Sequence, residues 1–227
     1  MNTSNQNPYL IPGSIIVAGL LIAVGIFFGG SYTSKNQVAV DPNAKPKVEI
    51  TSDGPFIGNP KAKLTVYYWS DYQCPFCKQF ESTALQSLIT DYVSTNKVKV
   101  VFKDLQFLGQ DSMDSAFIAR GIWEMYPDKY FSWREGYFAK QDEEGDKGFG
   151  DRASVIAYTK TVSGIDTNKV VALIDQKKDQ YQKLIQADHE QGSGNGVNGT
   201  PGVIVKDTQV DNPLNYATLK SIVDSKL

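Results

Sequence analysis

Cys74 and Cys77 are the only cysteines in 227 residues, and they stand where one apolar pattern gives way to another. Upstream, Leu64-Thr65-Val66-Tyr67-Tyr68-Trp69 is β-branched, aromatic and of strand length. Downstream, Phe76, Phe80, Ala84, Leu88 and Tyr92 recur every four residues, a spacing that predicts one face of a helix. The pair therefore lies where a strand hands over to a helix. Nothing else in the chain limits its fold as tightly.

That position has chemical consequences. With Cys74 as the helix N-cap, Pro75 takes the first helical position, where its missing N–H is no loss. Cys77 takes the third, whose N–H points at the cap side chain. A thiolate on Cys74 would accept that bond and meet the positive end of the helix dipole, so its acidity should rise. Residues three apart on a helix have Cα atoms roughly 5 Å apart, within disulfide range. A purely structural disulfide closing so small a loop would stabilise by only about 2 kcal/mol. A tetrahedral zinc site needs further ligands, and the chain adds a single histidine, His189. The pattern reads as a redox switch.

The run Asp71 to Phe80 is flanked by Ile57-Gly58-Asn59-Pro60-Lys61-Ala62 upstream and Gly199-Thr200-Pro201 downstream. In these features the chain resembles the DsbA-like family of thioredoxin-fold thiol–disulfide oxidoreductases. The resemblance implies an α/β, thioredoxin-like fold with an inserted helical domain. It also implies that Pro201 is a cis-proline facing the cysteines, with Thr200 offering backbone groups that pair with a substrate strand. Two departures stand out. Tyr68 occupies a place where the family often carries a buried glutamate that assists proton transfer, and Phe76 stands where well-known members carry histidine. Phenylalanine cannot favour a neighbouring thiolate by charge, so a milder oxidant is expected, resting more on the helix terminus. Asp71 reads as a turn or cap residue beside the motif rather than a proton relay.

The remaining organisation follows from patterning. Residues 1–9 form a short N-terminal tail. Residues 10–30 carry no charge and, as a helix, would reach about 30 Å, the thickness of a bilayer core, so they read as one N-terminal transmembrane signal-anchor. A cleaved signal peptide is the rival, although a basic start and an Ala-x-Ala site are lacking. Residues 31–47 are a polar, proline-bearing tether, and 48–227 the catalytic domain. Lys35, Lys45 and Lys47 follow the span and by the positive-inside rule favour a cytoplasmic domain; oxidising chemistry places it outside the cytoplasm instead.

Within the domain, Val48-Glu49-Ile50 predicts a first strand, Asp53-Gly54-Pro55 a turn, and Lys97 to Phe102 a strand parallel to the one before the cysteines. A single strand–helix unit needs about 30 residues. Far more separate Cys77 from Pro201, and the surplus, about 106–192, is helical. It predicts helices near 111–126, Lys129 to Lys140, Asp151 to Val162 and Asp166 to Gln191, the last ended by Gly192. Tyr130, Phe131, Trp133, Tyr137 and Phe138 read as core rather than a substrate groove. The Asp142 to Asp146 acidic run reads as solvated surface rather than a calcium site, and His189 as exposed. A last helix should carry Tyr216, Leu219, Ile222 and Val223.

Net charge of −2 and a pI near 5.5 argue against a nucleic-acid partner. The expected function is oxidation of dithiols in exported proteins by the Cys74–Cys77 pair, with no metal or organic cofactor. The resemblance implies a DsbB-like or vitamin K epoxide reductase-like membrane oxidase as the partner that restores the disulfide. A reductase or isomerase with the same site, and a tethered peptide-binding or chaperone module, remain as alternatives.

Overall fold

The apolar run before the cysteines forms the central strand of a five-stranded sheet. Among the residues that the computed structural model describes, 48–142 and 148–227, the strands are β1 (Phe56–Ile57), β2 (Leu64–Ser70), β3 (Val98–Asp104), β4 (Gly202–Val205) and β5 (Thr208–Gln209). Their order across the sheet is β1-β3-β2-β4-β5. β2 and β3 are parallel, from Leu64 opposite Val98 to Ser70 opposite Asp104, and the other neighbours are antiparallel. Parallel strands are normally covered on both faces, which suits the near-continuous apolar character of β2. Leu64, Val66 and Tyr68 join the main core, while Tyr67 and Trp69 pack with Val101, Leu105, Val197 and Ile204 on the opposite face.

The helices are α1 (Pro75–Ser82), α2 (Ala84–Leu88) with a π-helical turn at Ile89–Val93, α3 (Gln110–Met125), α4 (Pro127–Lys140), α5 (Arg152–Thr161), α6 (Thr167–Gly194) and α7 (Tyr216–Lys226). Helices α3 to α6 lie between β3 and β4, so the α/β, thioredoxin-like sheet carries a helical insertion. Asp151 accepts from the Ala153 and Ser154 amides and Asp166 from the Lys169 amide, capping α5 and α6 at their first turns. Tyr130, Trp133, Tyr137 and Phe138 are buried and Phe131 packs against them, as a core does.

Three local expectations are corrected. Val48 to Ile50 forms no strand, because α6 holds this segment by side chains: Asn195 donates to the Val48 carbonyl and Gln191 accepts from the Thr51 amide. Ladder pairing begins later, with Phe56 opposite Val101. Gly192 does not end α6, which runs on to Gly194; it serves close packing, since a Cβ there would sit 2.8 Å from Trp69 Nε1. Nor do Phe76 to Tyr92 share one helix face. Residues four apart drift by about 40° per step on a 3.6-residue helix. A break at Thr83 and the π turn return Phe80, Ala84, Leu88 and Tyr92 to the core, and Phe76 is left 58% exposed.

The tail, anchor and tether expected over 1–47 lie outside the described residues, as does the acidic run from Glu143 to Asp146. Among the described residues no helix is long and apolar enough to cross a membrane.

Candidate active site

The site is assembled by strand register. Trp69 on β2 lies opposite Gly202 on β4, so the chain entering β4 passes beside the loop that leaves β2. Gly202 permits this approach: a Cβ would lie 2.3 Å from Val197 Cγ1 and 3.0 Å from the Gly199 carbonyl. The Thr200–Pro201 bond is cis, and the Thr200 carbonyl points at Cys74, whose thiol donates to it at 3.4 Å.

Asp71 fixes the loop. Its Oδ1 accepts from the Gln73 amide at 2.7 Å and the Ser112 hydroxyl at 2.5 Å, and its Oδ2 from the Phe107 and Leu108 amides at 2.8 and 3.0 Å. One buried carboxylate thus joins the cysteine loop to the turn after β3 and to the start of α3. The insertion adds two more ties: Gln73 Nε2 donates to the Tyr137 hydroxyl and Gln141 Nε2 to the Tyr72 carbonyl, both at 2.8 Å.

Cys74 is the N-cap of α1 and Pro75 opens its first turn. The capping bond differs from expectation. The Cys74 side chain closes no bond to the first-turn amides, because as a thiol it donates to Thr200; its carbonyl accepts from the Cys77 and Lys78 amides instead. The two sulfurs differ sharply in environment. The Cys77 thiol, the Thr200 side chain and the first-turn amides favour the anion on Cys74, and its pKa falls from 9.0 to about 6. Cys77 has no accessible surface, and burial pushes its thiol well above the ordinary range. Cys74 keeps 4% of its surface.

Beneath α1 lie two residues that sequence patterning did not single out. Glu81, one turn beyond Cys77 on the same face, is buried, and its Oε1 accepts from Arg134 Nε and Nη2 at 2.8 and 2.6 Å. Arg134 also donates to Ser70 Oγ and the Tyr72 hydroxyl, and lies 4.6 Å from the Phe102 ring centroid. The available signals were a carboxylate inside an apolar helix stripe and an arginine inside an aromatic run. His189 is exposed. No group of three or more His, Cys, Asp or Glu side chains among the described residues is placed to hold a metal.

The thioredoxin family model matches residues 51–225. Disulfide bond formation protein D of Bacillus subtilis (strain 168) is 25% identical over 178 residues, covering 76% of this chain and 77% of that protein. The crystal structure of oxidised BdbD from Bacillus subtilis superimposes with a TM-score of 0.72 at 22% identity, over 81% of this chain and 97% of that one. That of Chlamydia trachomatis DsbA gives 0.66 at 16% identity, over 79% and 96%. At these identities the structures show a common fold.

Proposed function

This chain belongs to the thioredoxin family, as a DsbA-like thiol–disulfide oxidoreductase, and we propose that its Cys74–Cys77 pair introduces disulfides into exported proteins. The observation that carries the reading is the division of labour between the sulfurs. Cys74 is favoured as a thiolate at the mouth of the site, and Cys77 is disfavoured as one behind it.

In the disulfide form, a client thiolate attacks Cys74 Sγ. The S–S bond breaks, Cys77 leaves with the electron pair and takes up a proton, and a mixed disulfide joins client to Cys74. A second client thiol loses its proton and attacks its own partner sulfur. Cys74 then leaves as a thiolate that is stable at neutral pH, which favours the reduced protein and hence client oxidation. The Thr200 carbonyl, freed from the Cys74 thiol, is available to pair with an extended client backbone, and Pro201 fixes that segment against the sulfurs. Pro75 starts the helix that favours the Cys74 anion, Asp71 holds the loop, and the exposed Phe76 offers apolar surface beside the reactive sulfur.

The proposal includes the setting. Residues 10–30 anchor the chain in the cell membrane with the domain outside the cytoplasm, where a DsbB-like or vitamin K epoxide reductase-like oxidase restores the disulfide. Equilibration of the pair with glutathione tests direction. A potential above about −200 mV, together with oxidation of a reduced dithiol protein, is expected of an oxidant; a value below about −250 mV would make the protein a reductant.

A further inference from the structure

Cys77 must gain a proton when it leaves the disulfide and lose it when the disulfide re-forms, yet it is sealed from solvent. We propose that Tyr68 and Glu81 form a buried proton relay serving Cys77, with the Tyr68 hydroxyl between the thiol and the Glu81 carboxylate. The proposal deepens the reading above and rests on it.

Two polar atoms point to it. Among the described residues the Tyr68 hydroxyl and Glu81 Oε2 are both buried and close no full hydrogen bond, an arrangement that folded proteins rarely keep without use. Cys77, Glu81 and Arg134 all act on the Tyr68 hydroxyl, so thiol and carboxylate both lie close to it. β2 supplies the tyrosine, its ring against Phe80 at 4.6 Å between centroids, and α1 supplies Cys77 and Glu81 on one face. Arg134 from α4 occupies only Oε1, which leaves Oε2 for the tyrosine. Glu135, also on α4, acts on Glu81, with Lys78 lining the same cleft, and Cys74 acts on Cys77. Burial raises the Glu81 carboxyl above its ordinary range while Arg134 opposes it.

The relay has an outlet. A cleft of about 260 Å³ is lined by Glu81, Lys78, Gln86 and Glu135, and by none of Cys74, Thr200 or Pro201. Protons therefore exchange with water there, without opening the mouth where the client sits.

The steps balance. When a disulfide re-forms, Cys77 passes its proton to the Tyr68 oxygen as Tyr68 passes its own to Glu81. The Cys77 thiolate then attacks Cys74 Sγ, and the sulfur previously joined to Cys74 leaves with the electron pair. When a client ejects Cys77, the same protons run back.

The test uses the reduced protein mixed with glutathione disulfide, following formation and closure of the Cys74–glutathione mixed disulfide by acid quench and mass spectrometry. Tyr68→Phe, which removes only an oxygen without a hydrogen bond, should form the mixed disulfide at the parent rate but close it at least about tenfold more slowly at pH 7. The deficit should vanish at high pH, where hydroxide removes the proton. Glu81→Gln should do the same, and the double variant should be no slower than either single one, as for two parts in series. Closure by Tyr68→Phe at the parent rate at pH 7, or a deficit equal at every pH, would overturn the relay. Failure of the parent protein to form the mixed disulfide at all would instead overturn the oxidoreductase reading on which the relay depends.

Discussion

Two buried ion clusters flank the sheet, and they are built to different specifications. At one, Asp188 of α6 gives Oδ1 to Lys103 at 2.8 Å and Oδ2 to Arg120 and the Asp104 amide, while Arg120 pairs with Asp104 at 2.7 Å. The Asp188 carbonyl also accepts from Trp69 Nε1 at 2.8 Å. Every oxygen of that aspartate is used, and the cluster fastens the helical insertion to β3. At the other, Glu81 spends one oxygen on Arg134 and leaves the second bare beside Tyr68, which Cys77 also approaches. A saturated cluster holds structure together, whereas an unsaturated one next to a sulfur can pass a proton.

The contrast is open to direct attack. The largest effect is expected at the saturated cluster. Asp188→Ala leaves Lys103 and Arg120 buried without their shared partner and should cost about 3–5 kcal/mol in urea unfolding. In the fraction that remains folded, Cys74 should titrate as in the parent. An unfolding cost below about 1 kcal/mol would mean that the cluster is not the fastening described.

Glu81→Gln should act through pH. The folded-state pKa of Glu81 lies above its ordinary 4.5, so the native protein binds more protons than the unfolded chain in the window above 4.5. Its contribution is present below 4.5 and lost as pH rises through the raised value, by about 1.4 kcal/mol per unit of displacement. Subtracting the Glu81→Gln stability curve from the parent's should reveal that loss; parallel curves would place Glu81 at its ordinary value. The smallest effect is expected at the exposed His189, where replacement by alanine should change stability by less than about 0.5 kcal/mol and leave disulfide closure untouched.

The sequence carried what is local or repetitive. Cys74 and Pro75 at a helix start, the apolar β2, and Asp151 and Asp166 as caps are written in stretches of a few residues, where propensity and spacing operate. What it did not carry was pairing at a distance. Glu81 meets Arg134 53 positions later, and Asp71 meets the amide of Phe107 36 positions later, by folding that no periodicity records. Asp71 read as a turn residue because its bond to the Gln73 amide is local; its role in joining two loops was hidden for the same reason. Phe76 misled because a four-residue repeat looks helical even where the helix must break to keep it on one face.

The central claim is that one of two adjacent sulfurs is the more exposed and acidic nucleophile and the other is neither. Alkylation of the reduced protein across pH, with each cysteine's modification read by peptide mass spectrometry, tests it most directly. Cys74 should react alone, with a rate that rises through a midpoint near 6, while Cys77 stays unmodified until the protein unfolds. Modification of both cysteines together near pH 9, or of Cys77 first, would contradict the account.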